Sequence, residues 1–162
     1  MQFSEIRQPF TIAIFTDGSC HSQSRAGGWA AIILIGENKI ILNGSNPDTT
    51  HQRMELTAVL ESLSYLQQHD LGHQHVVVYS DSQYVVNMVA RKERLVSSEY
   101  RTKKLKLVRN SDLVRDLIRF IESTDITFKK IKSHQRVHSA ESSANREVDL
   151  LSRQKMREQH HR

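Results

Sequence analysis

The stretch "VVVYSDSQYVVN", from Val76 to Asn87, decides how the chain folds. Three valines and a tyrosine make a buried strand, because β-branched and aromatic side chains fit a pleated, packed surface. The run nevertheless ends on a carboxylate, Asp81. Near the N-terminus "FTIAIFTDGSC" (10–20) repeats the pattern, with Asp17 closing an apolar strand over residues 10–16. Two strands that each carry an acid to the edge of the core call for a reason.

Working outward, "WAAIILIG" (29–36) and "KIILNGS" (39–45) follow the first strand at hairpin spacing, so three antiparallel strands come first. The turn cluster "NPDTT" precedes a helix over 51–68, and Thr49 with Gln52 has the form of its capping box. Met54, Ala58, Leu60, Leu63 and Leu66 recur along it at helical intervals. The Val76–Ser80 strand comes next, then a helix from Ser82 to about Arg91, a basic segment, an amphipathic helix over 111–122, a strand over 126–132 and a closing helix over 143–157. This order predicts an α/β fold, a five-stranded mixed sheet with three antiparallel strands and then two parallel ones, and helices on both faces. Trp29, in an apolar strand, is expected in the core.

At 162 residues one domain is expected over 1–162, with its core at about 10–153. No apolar run approaches a membrane span and "MQFSEIRQPF" lacks the layout of a signal peptide, so a soluble, cytoplasmic protein is expected. The single cysteine, Cys20, has no second thiol for a disulfide or a zinc site. Net charge is +5, and Arg91 to Arg109 holds eight basic residues against two acidic ones, a net of +6. The remainder of the chain therefore nets −1, and the run is either a solvated face or a track for a polyanion.

In such a sheet, strand ends and helix starts converge on one edge, where ligand sites form. Asp17 and Asp81 close strands there, and Glu55 lies in the first turns of the intervening helix. Each has an ordinary alternative: Asp17-Gly18 as a turn, Asp81 as an N-cap, Glu55 as an acid favoured by the helix dipole. Their convergence is harder to explain one residue at a time. Clustered carboxylates repel and resist burial unless a cation neutralises them. Oxygen ligands suit Mg²⁺ or Mn²⁺, and a pair of such ions activates water for phosphoryl displacement.

"TDGSC" (16–20), "RMEL" (53–56), "SDSQYV" (80–85) and "KSHQ…NREVD" (132–149) together resemble the type 1 ribonuclease H family in spelling and order, over about Phe10 to Arg153. The resemblance implies the RNase H-like fold and Mg²⁺-dependent cleavage of the RNA strand of RNA–DNA hybrids, leaving a 3′-hydroxyl and a 5′-phosphate. By matching motif, the catalytic acids and metal ligands are Asp17, Glu55, Asp81 and Asp149. Asp17 would bridge two Mg²⁺ ions (Mn²⁺ being a possible substitute), Glu55 and Asp81 would bind one and Asp149 the other. His134, within "KSHQ", would be the mobile catalytic histidine, with His138 a neighbouring imidazole. Cys20, Thr50, Gln52, Arg53, Gln83 and Asn110 fall at or beside positions that touch the hybrid in relatives. Lys103, Lys104 and Lys106 lie in the segment that corresponds to the family's hybrid-gripping protrusion.

The chain departs from the family's bacterial prototype in three places. His51 and Gln52 replace two asparagines before "RMEL". The basic segment has no tryptophan, keeping Tyr100 as its aromatic. The loop between His134 and Asp149 is longer. A monomer is expected, with no separate hybrid-binding domain ahead of Phe10. Two other functions are open to the sequence: a nuclease of the same superfamily acting on DNA junctions or within a retroelement polymerase, and a non-catalytic nucleic-acid-binding module. Four acids argue against the last, since a phosphate-binding surface gains nothing from carboxylates without metal.

Overall fold

The computed structural model describes residues 10–131 and 140–162. Strand β1 (Thr11–Cys20) is central, pairing antiparallel with β2 (Gly27–Ile35), which pairs antiparallel with β3 (Asn38–Asn46). Helix α1 (His51–Gln68) crosses over to β4 (His75–Ser80), parallel to β1, and β5 (Ile126–Lys130) adds parallel to β4. The sheet order is β3-β2-β1-β4-β5, the expected five-stranded mixed sheet. Between β4 and β5 run α2 (Gln83–Val86), α3 (Met88–Ser97) and α4 (Ser111–Ser123), and α5 (Ala140–His160) closes the chain.

Alternation along β1 loads both faces. Ile12 and Ile14 pack with Leu56, Val59, Leu63 and the inner faces of α3 and α4, whereas Phe15 packs with Ala30, Ile32 and the α5 residues Ala144 and Val148. Helices therefore cover both faces. The hairpin between β2 and β3 turns on Gly36, whose φ of 58° sits in the left-handed region where a two-residue loop fits the twist of its strands.

Four local expectations are corrected. The cap of α1 is Thr50, whose hydroxyl accepts from the Arg53 amide at 3.2 Å; Thr49 is buried, and its hydroxyl has no partner among the described residues. The single helix after Asp81 is two, because Asn87, at φ −77° and ψ −4°, flattens the turn between α2 and α3 while its side chain accepts from Gln83 Nε2 at 2.6 Å. Asp17 does not close β1, since the ladder to β2 runs on through Gly18, Ser19 and Cys20. Trp29 is half-buried, its ring lying against Gly44 of β3, where a Cβ would come within 2.6 Å of Nε1.

Candidate active site

The site forms where β1 outruns one of its neighbours. Its parallel pairing with β4 stops at Phe15–Tyr79, but its antiparallel pairing with β2 continues through Asp17–Ala30 to Cys20–Gly27. Asp17 is thus held firmly on one side and faces an open notch on the other. Asp81 is exposed in the turn that leaves β4, and the α2 cap is Ser82, whose hydroxyl accepts from Val85 N. That removes the capping explanation for Asp81.

Two glycines bring helices to this notch from opposite faces. A Cβ on Gly18 would lie 2.4 Å from the Glu55 amide nitrogen, so only glycine lets the start of α1 press on β1 and deliver Glu55 beside Asp17. A Cβ on Gly28 would lie 2.3 Å from Met156 N and 2.4 Å from Ser152 O, so α5 lies as tightly on β2 and delivers Asp149.

Asp17 and Glu55 are both buried. Ser152 Oγ, on α5, donates to Asp17 Oδ2 at 2.5 Å, and Ser82 Oγ donates to Glu55 Oε2 at 2.6 Å. The imidazole of His51 bridges Gly18 and α1: Nε2 is 2.8 Å from the Gly18 carbonyl oxygen and 3.2 Å from Glu55 Oε1. Asp149 pairs with Arg153 one turn on, Nε to Oδ1 at 3.2 Å.

Burial pushes the Asp17 carboxyl up to about 7, the Ser152 hydrogen bond opposes this, and repulsion from Asp81, Asp149 and Glu55 adds to it. Burial likewise raises Glu55, against the Ser82 hydrogen bond and the nearby His51, with Asp81 raising it further. Asp17 therefore feels the other three acids, which stand on α1, on α5 and in the turn after β4. Among the described residues, no three carboxylate, thiol or imidazole groups close up tightly enough to hold one ion together. The donor chemistry nevertheless fits a hard divalent cation: oxygen-only, anionic, and destabilised by its own repulsion until positive charge arrives.

The other candidate positions spread along the same edge. Cys20 Sγ lies 3.5 Å from the Thr49 carbonyl oxygen, a weak bond that ties the end of β1 to the approach of α1. Asn110, left-handed at φ 61°, offers Nδ2 to Gln52 Oε1 at 3.4 Å and to Tyr84 OH at 3.3 Å, joining α1, α2 and the start of α4. Arg53 is turned to Asp112 of α4. Gln83 accepts from Lys130 Nζ at 3.1 Å. Lys103, Lys104 and Lys106 are exposed on a loop closed by an isolated Arg101–Leu107 bridge. His134 and His138 lie outside the described residues. Sequence reasoning missed Ser152, Ser82 and the contacts of His51. A serine in the otherwise apolar Ala144, Val148, Ser152 row of α5 was the available signal for the first, because a buried hydroxyl needs a partner.

Among solved structures, LC9-RNase H1, a type 1 RNase H with the type 2 active-site motif, superposes with a TM-score of 0.78 at 19% identity, over 94% of this chain and 74% of that one. LC11-RNase H1 in complex with RNA/DNA hybrid gives a TM-score of 0.65 at 19% identity, over 91% of this chain and 97% of that one. These likenesses place the fold in the RNase H-like class. The RNase H family profile matches residues 9–157, and a ribonuclease H of Chlorobium phaeobacteroides strain DSM 266 is 34% identical over 145 residues, 88% of this chain and 93% of that protein. The chain belongs to the RNase H family.

Proposed function

We propose that this chain is an endoribonuclease that hydrolyses the RNA strand of RNA–DNA hybrids, using two Mg²⁺ ions (or Mn²⁺) and leaving 3′-hydroxyl and 5′-phosphate ends. The observation that carries this reading is that Glu55, Asp81 and Asp149 each raise the cost of charging the buried Asp17 of β1, in a chain of the RNase H family. A surface built to bind a polyanion without metal would not concentrate carboxylates there.

Asp17, Glu55, Asp81 and Asp149 would hold the ions. Bound there, divalent ions supply an activated water and stabilise the leaving oxygen of an in-line displacement. The chain's own groups do the rest. Ser82 and His51 hold the two oxygens of Glu55, and Ser152 holds Asp17. Lys103, Lys104 and Lys106 follow the phosphates of the hybrid. Choice of RNA rests on contacts with consecutive 2′-hydroxyls in the shallow minor groove, for which the Thr50–Arg53 turn and Asn110 are the candidates. His134 handles a proton or assists product departure. A cytoplasmic monomer belongs to the same proposal.

The test is cleavage of labelled RNA–DNA hybrid, duplex RNA, duplex DNA and a branched DNA junction, each with Mg²⁺ or with chelator. Metal-dependent cleavage of the hybrid alone is expected. Cleavage of the junction with the hybrid intact would move the protein to the junction-nuclease reading, and binding without cleavage would make it a binding module.

A further inference from the structure

We infer that Ser152 is a positioning residue for cation binding: its buried hydroxyl clamps the Asp17 carboxylate of β1 to the turn of α5 that carries Asp149, fixing the two acids relative to each other. The inference rests on the reading that these acids hold divalent ions. Ser152 is 0% exposed, and Oγ stands 2.5 Å from Asp17 Oδ2 and 3.1 Å from the carbonyl oxygen of Asp149.

Packing alone does not account for a serine here. Ala144 and Val148 precede it at four-residue intervals on the buried side of α5, and alanine would continue that row with a better helix former and no hydroxyl to desolvate. A buried helical serine ordinarily satisfies itself on its own helix. Ser62 does so on α1, donating to the Ala58 carbonyl oxygen at 2.7 Å. Ser152 has such a carbonyl within reach at Asp149, yet its shorter contact is across to Asp17. A hydroxyl has one proton, and a bond to a carboxylate is the stronger use of it.

The backbone beneath Ser152 is fixed as well. Its carbonyl oxygen lies only 2.4 Å from where a Cβ on Gly28 would sit, and Gly28 pairs with Ser19, two residues beyond Asp17 on β1. The hydroxyl therefore spans two parts of the fold already seated on adjacent strands, and holds Oδ2 so that the carboxylate cannot swing freely. Partners that orient a metal ligand in this way are commonly worth about 10–100-fold in metal affinity or activity.

The test uses the full chain. Mn²⁺ binding is measured by calorimetry without nucleic acid for the parent, Ser152→Ala and Ser152→Cys, circular dichroism establishing that each is folded. Cysteine keeps a side chain at the position but is a poor donor. Both variants are expected to raise the Mn²⁺ Kd by about tenfold or more. On hybrid, KM should stay close to the parent value while kcat at low Mn²⁺ falls and recovers as Mn²⁺ is raised, which a loss of folded protein would not do. Either folded variant binding Mn²⁺ within about threefold of the parent, well short of that effect, would overturn the inference. So would a parent that binds no Mn²⁺, or failure of both variants to fold. A parent that binds Mn²⁺ but leaves hybrid intact would overturn the proposed activity and leave the role of Ser152 standing.

Discussion

Arg53 and Asp112 face each other fork to fork, Nη1 to Oδ1 at 2.9 Å and Nη2 to Oδ2 at 2.7 Å, joining the start of α1 to the first turn of α4. The guanidinium holds the Asp112 carboxyl down at about 2. Because its folded pKa is depressed, the pair's contribution is present above the ordinary carboxylate range and is lost as pH falls through about 2. Both partners reach solvent, so Asp112→Asn should change stability at pH 7 by less than about 1 kcal/mol. It also frees Arg53 and removes a negative charge from a surface proposed to meet phosphates. KM for hybrid should therefore fall; a raised KM would show that Arg53 acts only in the geometry Asp112 imposes.

Asp17 has the opposite sign. Its carboxyl is raised to about 7 in the fold, so the folded protein holds a proton that the unfolded chain releases near the ordinary value of 3.8. Stability without metal is fully present below that value and declines as pH rises through about 7, by on the order of 4 kcal/mol at most. Asp17→Asn should remove this decline. Urea unfolding in chelator should give similar stabilities for parent and variant below pH 4, and a variant that is the more stable at pH 8. Hybrid cleavage by the variant should be lost. Matching pH profiles would mean that Asp17 is not pressed by its neighbours.

Gly18→Ala tests the approach of α1. The new Cβ meets backbone, the Glu55 amide nitrogen at 2.4 Å and the Met54 carbonyl carbon at 2.6 Å, so no side-chain rotation relieves it. A destabilisation of about 1–3 kcal/mol is expected from overpacking. Activity should fall further than the folded fraction measured by circular dichroism, because Glu55 is displaced with the helix. Parent-like stability would place the helix start farther from β1.

Replacing Lys103, Lys104 and Lys106 together by alanine should raise KM with little change in kcat, since binding common to ground and transition states is lost. The salt dependence of hybrid binding should flatten by somewhat under about one log unit per contact removed. An unchanged salt slope would return these exposed lysines to a solvated face.

The five strands and α1, expected and found over 51–68, were legible because apolar alternation and helical spacing report directly on which faces are buried. The cap was misplaced by one residue because Thr49 and Thr50 both fit a four-residue pattern, and only the backbone decides between them. Asp17 read as a strand end because the apolar run stops before it; the antiparallel ladder that continues through Cys20 leaves no mark in residues 17–20. The candidate acids were legible by motif, but the groups that hold them were not. Ser82 and Ser152 are ordinary residues whose partners lie 27 and 135 positions away in sequence. The shape of the basic loop was equally hidden, since Glu99, Tyr100, Leu105 and Asn110 all adopt positive φ without a glycine to announce it.

The fork at the end of β1 divides the site into a stiff bank and a compliant one. On the β2 side, Asp17 to Cys20 remain laddered to Ala30 to Gly27, whereas Asp81 stands exposed in a turn beyond the last β1–β4 pair. The amide hydrogens along 17–20 that point into the ladder with β2 should exchange slowly and those around Asp81 quickly, because ladder hydrogen bonds open only with the sheet while an exposed turn opens locally. Should a cation bind there as proposed, reorganisation would fall on Asp81 closing toward Asp17. Slowed exchange on metal addition would concentrate at the β4 turn, with β1 acting as the fixed datum from which the geometry is set.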